Sequence, residues 1–354
     1  MLNKIYKDLF DLNGIAAYEN EVRAYMRKFM EQYPNYEIVT DNLGSIFARK
    51  IVDPALPTVM VAGHMDEVGL IVKQITNKGM LKLLNAGGLN GEIFISQVLN
   101  VHTKKGIIKG VVGAIPPHMK TTQNTSIEDL ILDIGATSKA EALEFGVELG
   151  NMVLYPNPFN YTANKKRVIS KAVDNRFGCG LALEAIKYFH NKELPYNIVI
   201  GATVQEEVGL RGAETITNLI NPDVFIALDA SPVNDIVDDS GFGKLGSGFL
   251  IRMYDPRNIM QKSMLDYFTN LAVKNNLKHQ HFLSMGGTDA AKAYDLNEGT
   301  LATTIGLPAR YIHSTAAMFD LADLEEAKKM LFLVLRKLNP KVIKKLKEEN
   351  RWLH

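Results

Sequence analysis

Thr58-Val-Met-Val-Ala-Gly-His-Met-Asp-Glu-Val-Gly69 is the stretch that decides the fold. Its first part, Thr58 to Gly63, is a continuous apolar run too short for a helix, so it reads as a buried strand. Directly behind it stand His64 and Asp66. Two further stretches repeat the form: residues 197–204 (NIVIGATV) run into Gln205-Glu-Glu207, and residues 224–228 (VFIAL) run into Asp229. Continuous rather than alternating apolar strands indicate a sheet covered on both faces. A helix is predicted from near Asp174, because Phe177, Leu181, Ile186 and Phe189 recur at helical spacing. The fold class expected is α/β, a mixed central sheet with helices on both faces.

Residues 72–162 read differently, as Gly-rich short alternating runs such as 79–84 (GMLKLL), 97–102 (QVLNVH) and 106–110 (GIIKG). That pattern belongs to a small β-barrel or sandwich. One short helical stretch, Lys139 to Phe145, interrupts it. The expected organisation is a catalytic α/β domain in two parts, 1–71 and 163–354, with a β domain of 72–162 inserted. An amphipathic helix over Leu324–Leu338 and a charged tail close the chain.

The chemistry-bearing residues fall at five places, each at a strand end or helix start, where open α/β sheets bind ligands. His64 and Asp66 are two apart, so an extended backbone turns them to one side. Asp66 is then placed to take the imidazole's other N–H, as carboxylates do behind metal-bound histidines. Asp174, in Ser170-Lys-Ala-Val-Asp-Asn-Arg176, reads alone as a helix N-cap or as a ligand. Glu206 and Glu207 are adjacent carboxylates at the end of an apolar strand, where mutual repulsion is costly. A metal resolves that conflict, with Glu207 as ligand and Glu206 as general base. Asp229 and His313, the latter in Ala309-Arg-Tyr-Ile-His-Ser314, complete the set. Two imidazoles and three carboxylates, with a spare Glu and a spare Asp, suit two zinc-like ions that share a carboxylate and a water.

The remaining composition sets bounds. The 354 residues are 46% hydrophobic and 22% charged, with 40 Lys and Arg against 39 Asp and Glu, a formal charge of +1. Such a balance calls for no nucleic-acid partner. No run of roughly 18 apolar residues is present, so no membrane-spanning helix is expected. The N-terminus lacks the apolar core of a signal peptide. Cys179 is the only cysteine, which rules out an internal disulfide or an all-thiolate metal site and fits the cytoplasm. It reads as a small packing residue. His102, His118, His190 and His354 read as surface or structural, and His279 and His281 as strand residues near the site's rim.

At these residues the sequence resembles the glutamyl aminopeptidases and related tetrahedral aminopeptidases. The matching stretches are GHMDEVG, SKAVDNRFG, VQEEVGLRGA, ALDASP, KLGSGFLIRMYDP, GGTDAA and ARYIHS, in the family's order, together with VGAIPPHM in the inserted domain. The resemblance implies a zinc-peptidase-like catalytic domain that removes single residues from peptide N-termini. It implies that Asp174 bridges two divalent metals, zinc first with cobalt or manganese as alternatives. His64 and Asp229 would complete one metal's ligands, Glu207 and His313 the other's, with Glu206 as base and Asp66 orienting His64. It further implies a homo-oligomer, a dodecamer built from dimers. Asn175 stands where many relatives have Asp, and residues 314–319 (STAAMF) depart from the closest pattern.

An acidic substrate side chain needs a cation, and Arg252 is the candidate selector of Glu or Asp, with Lys244 second. The alternatives are the same architecture with a neutral or basic preference, a glycanase, and a catalytically silent assembly protein. A glycanase would leave His64 and His313 without a purpose.

Overall fold

The structure, a computed structural model, describes residues 2–114, 126–237 and 242–351. Among them twelve strands form one large mixed sheet, and six more close a separate barrel. Four parallel strands make the heart of the sheet: Asn197–Thr203, Thr58–His64, Val224–Pro232 and Leu301–Arg310, in that spatial order. Alternate residues along them feed opposite cores. Val59, Val61, Ile198, Ile200, Val224 and Ile226 pack with the helices Lys4–Asp11, Val173–Phe189 and Leu321–Lys337. Met60, Ala62, Val199, Phe225 and Ala227 pack on the other face, against Ile216 of the Arg211–Ile220 helix and Ala290 of Asp289–Tyr294. Burial on both faces is the physical reason these strands are apolar without alternation.

The register brings the strands' carboxyl ends together. Thr203 pairs with His64, so the Glu206–Glu207 turn leaves the sheet beside the imidazole. Asp229 pairs with Gly306 one strand further on. Pro308 lies in a central strand although it lacks an N–H. Its position explains the tolerance: on that side Phe249–Asp255 pairs only as far as Gly306, and Ala317–Asp320 takes over at Ala309.

The Val173–Phe189 helix is buried on nearly every side. It lies so close to the sheet that a Cβ on Gly63 would come within 2.6 Å of Gly178 and Cys179 backbone atoms. Only glycine permits that approach.

The barrel strands are Gly69–Ile75, Leu81–Ala86, Ile131–Asp133, Gly106–Val112, Val98–Thr103 and Met152–Leu154, around a core of Leu70, Val72, Leu83, Phe94, Leu99 and Val101. They sit within 69–154, whereas Asn160–Tyr161, inside the expected 72–162 segment, pairs with Arg167–Ser170 in the large sheet. Part of the VGAIPPHM stretch, His118 included, lies outside the described residues, as does His354. The charged tail forms a helix, Pro340–Asn350, capped by Asn339 and seated on Ile343 and Leu346. Among the described residues no helix is long and apolar enough to cross a membrane.

Candidate metal centre and active site

His64 ends its strand with its imidazole almost fully buried. Its Nε2 lies 3.2 Å from Asp174 Oδ1, 3.6 Å from Asp229 Oδ1 and 3.8 Å from Glu206 Oε2. His313 Nε2 faces the other side of Asp174, 3.5 Å from its Oδ2, and is 3.4 Å from Glu207 Oε2. The residues named for catalysis and metal binding thus converge from separate loops, with Asp174 between the two histidines.

Each histidine has its second nitrogen tied down. His313 Nδ1 lies 2.9 Å from Gly88 O, a carbonyl in the loop after the barrel strand Leu81–Ala86, so the inserted domain sets this ring's direction. For His64 the nearer partner is the main-chain carbonyl of Asp66, 3.1 Å from Nδ1, with the carboxylate Oδ1 at 3.5 Å. The Asp66 carboxylate also binds two amides. Its Oδ1 accepts from the Glu206 N–H at 3.0 Å and its Oδ2 from the Glu207 N–H at 3.1 Å. It fixes the two glutamates as well as facing the histidine.

Four carboxylates in so small a volume repel one another. Burial, with Asp174's charge next, pushes Glu207 up to about 8. Burial also raises Glu206 well above the ordinary range, and raises Asp229. Burial works against a charged His313, yet Asp174 and Glu207 outweigh it and lift the imidazole to about 10. Glu207 Oε1 and Asp229 Oδ1 are buried without a hydrogen-bond partner. A divalent cation answers both strains, and three donor sets fit one: His64, Asp174 and Asp229; Asp174, Glu207 and His313; and His64, Glu206 and Glu207, each with ligand atoms within 4.8 Å of one another.

The backbone around the centre is held in uncommon conformations. Ala172, Gln205, Tyr311 and His313 all have positive φ. Such residues persist where surrounding structure over-determines them. Asn175 is part of that structure. Its Nδ2 donates to Leu228 O at 2.6 Å, and its Oδ1 accepts from the Gly178 N–H at 3.1 Å. An aspartate could not donate to that carbonyl. Cys179 Sγ donates to His64 O at 3.0 Å, and burial pushes its thiol up to about 12, so it is a packing residue.

The centre opens into a cleft of about 490 Å³ lined by Leu210, Pro232, Ile312, Arg252, Arg257 and the Ser284–Gly287 loop, among others. Arg252 is buried, with Nη2 donating to Ser231 Oγ at 2.7 Å and Nη1 to Gly286 O at 3.1 Å. Lys244 is not among the lining residues. His279 and His281 share the His279–Leu283 strand, and His281 Nε2 lies 3.0 Å from Thr269 Oγ1. Sequence reading missed Arg257 and the buried group of Glu67, Lys171 and Arg176. Lys171 Nζ and Arg176 Nη2 lie 2.7 and 3.2 Å from Glu67 Oε1. The available signal was charge within otherwise apolar runs.

A doubly covered α/β sheet whose strand ends gather imidazoles and carboxylates at a cleft defines a metal-dependent hydrolase. Residues 44–330 match the model of the M42 glutamyl aminopeptidase family, and the chain belongs to it. It is a metallo-aminopeptidase. The glutamyl aminopeptidase of Lactococcus lactis subsp. cremoris is 38% identical, over 96% of this chain and 98% of that one. The lysyl aminopeptidase of Pyrococcus furiosus is 30% identical, over 95% and 97%. The solved structure of the Pyrococcus horikoshii TET1 peptidase, described as able to assemble into a tetrahedron or a large octahedral shell, is 31% identical. It superposes with a TM-score of 0.84, covering 95% of this chain and 99% of that one.

Proposed function

We propose that this aminopeptidase prefers Glu or Asp at the substrate N-terminus and works with two divalent ions and Glu206 as general base. The observation that carries the preference is the sign of the cleft. Its cations are Arg252 and Arg257, while its carboxylates, Asp174, Glu206, Glu207 and Asp229, all belong to the centre itself. A basic substrate side chain would find no uncommitted carboxylate there. An acidic one meets a buried guanidinium whose planar fork matches it. The family holds a lysyl as well as a glutamyl relative, so the selector is a matter for this cleft.

His64, Asp174 and Asp229 would hold one ion and Asp174, Glu207 and His313 the other, and the ions would supply an acidified water and an electrophile for the scissile carbonyl. Glu206 would act as the base, taking a proton from the attacking water and handing it to the leaving amine. The substrate's free amino group would sit beside the metal centre, which restricts cleavage to the first peptide bond. Asp66 keeps Glu206 in reach by gripping its N–H.

Chelator-stripped protein reloaded with zinc, cobalt or manganese is expected to regain hydrolysis, strongest on Glu- or Asp-p-nitroanilide. Recovery favouring Leu or Lys would keep the metal reading and discard the acidic one. Arg252→Leu is expected to lower the ratio of Glu to Leu cleavage at least about tenfold, because a site built for a polar group penalises its loss. An unchanged ratio would remove Arg252 as selector.

The chain is further proposed to assemble as a homo-oligomer, a dodecamer built from dimers. Val98, Ile107, Val111, Leu143 and Leu149 of the inserted domain are 44–66% exposed, apolar surface of the kind association covers. Its single, buried cysteine suits a reducing cytoplasm.

A further inference from the structure

We infer that the N-terminal segment from Leu9 to Glu19, ahead of the residues matched by the family model, is a clasp that positions the metal centre, with Glu19 the positioning residue for Glu206. The segment touches all three inner loops. Arg176, fully buried, donates from Nη1 to Leu9 O and Leu12 O, each at 3.0 Å, and from Nη2 to Gly14 O at 3.1 Å. Arg176 Nε reaches Met65 O at 2.7 Å, between His64 and Asp66. Lys171 Nζ donates to Leu12 O at 2.6 Å. Gly14 and Glu67 exchange two bonds: the Glu67 N–H donates to Gly14 O at 2.9 Å, and the Gly14 N–H to Glu67 Oε1 at 3.3 Å. The loops of Asp174 and of His64–Asp66 are therefore laced to the same short segment of chain.

Glu19 extends the clasp to the third loop. Its side chain is buried, and Oε1 accepts from the Gln205 N–H at 3.1 Å. Gln205 has φ 55°, and the next two N–H groups are those held by Asp66. Two buried carboxylates thus hold three consecutive amides of the turn that aims Glu206 and Glu207. Removing the first leaves Gln205 free to leave its unfavourable conformation. A misplacement of the order of 1 Å at a reacting group costs about 10²-fold in rate.

The inference rests on Glu206 as the base. The test compares Glu19→Ala with Glu19→Gln, whose amide oxygen still accepts from Gln205. Glu19→Ala is expected to lose about 10–100-fold in kcat with KM little changed. The visible absorption of its cobalt-loaded form should shift, because Glu207 rides on the same turn. Glu19→Gln should recover most of both. Where the alanine variant does not fold, Glu19→Asp, which withdraws the acceptor by one methylene, is read in its place. Unaltered kcat and cobalt spectrum in the shortened variant would overturn the clasp, and so would equal losses in the shortened and Gln variants. Failure of the base assignment is separable, since it would show as full turnover in Glu206→Gln with Glu19 intact.

Discussion

Glu206→Gln is expected to reduce kcat by about 10²–10⁴-fold while metal content and KM stay near those of the unaltered enzyme. Gln matches Glu in shape and keeps the backbone N–H that Asp66 Oδ1 accepts, so the turn stays in place. It removes only the proton acceptor. No other carboxylate lining the cleft is free to substitute, because Asp174, Asp229 and Glu207 are the carboxylates of the two proposed ligand sets. Glu207→Gln should differ, since it replaces a ligand and lowers metal content as well. Steady-state kinetics on Glu-p-nitroanilide with metal analysis of the same samples separates the cases. Wild-type kcat in Glu206→Gln would end its role as base.

The proposed ligands and base other than Asp174 were legible because each follows a strand buried on both faces; Asp174 follows the half-buried Arg167–Ser170 strand instead. An apolar run such as residues 58–63 that stops at a His, or residues 197–204 that stops at Gln-Glu-Glu, marks a strand end without knowledge of the partner strands. The alternating runs between Gly79 and Gly110 marked the barrel for a related reason: its strands bury one face, as the 81–86 strand shows with Leu81 and Leu83 inside and Leu84 exposed, while Ala86 packs in a separate cluster with Ile15 and Leu154. What holds the centre in place was not legible. Gly88 meets His313 across 225 positions, and Glu19 meets Gln205 across 186. No periodicity records such contacts. Asp66 shows the same limit, since spacing gave its proximity to His64 but not its grip on both glutamate amides. The Pro340–Asn350 helix was hidden by its charge, with Ile343 and Leu346 its only buried residues. Asn339 and Pro340 were nonetheless a cap signal that could have been read.

Gly178→Ala is expected to weaken both the fold and the metal centre, because the Val173–Phe189 helix would have to lift off the sheet. A Cβ at this position would lie 2.3 Å from Leu228 O and 2.6 Å from Asn175 Oδ1. Leu228 is fixed in the Val224–Pro232 strand between two parallel neighbours, so the helix must lift instead. Lifting breaks the bond from Asn175 Nδ2 to Leu228 O, and it draws Asp174 away from Asp229 and His64. Overpacking of this kind costs about 1–3 kcal/mol, occasionally more. Loss of a group that holds ligands in place costs about 10–100-fold in metal affinity. The two effects are measured apart, by denaturant midpoint of the chelated protein and by zinc titration in a competing chelator. Gly113→Ala serves as control, since its nearest contact would be Ile131 O at an ordinary 3.7 Å. Gly178→Ala with an unshifted midpoint would show that the helix start yields freely. A lowered midpoint with unchanged zinc affinity would show that Asp174 is placed by the loop before the helix, through Ala172 and Lys171, rather than by the helix's seat on the sheet.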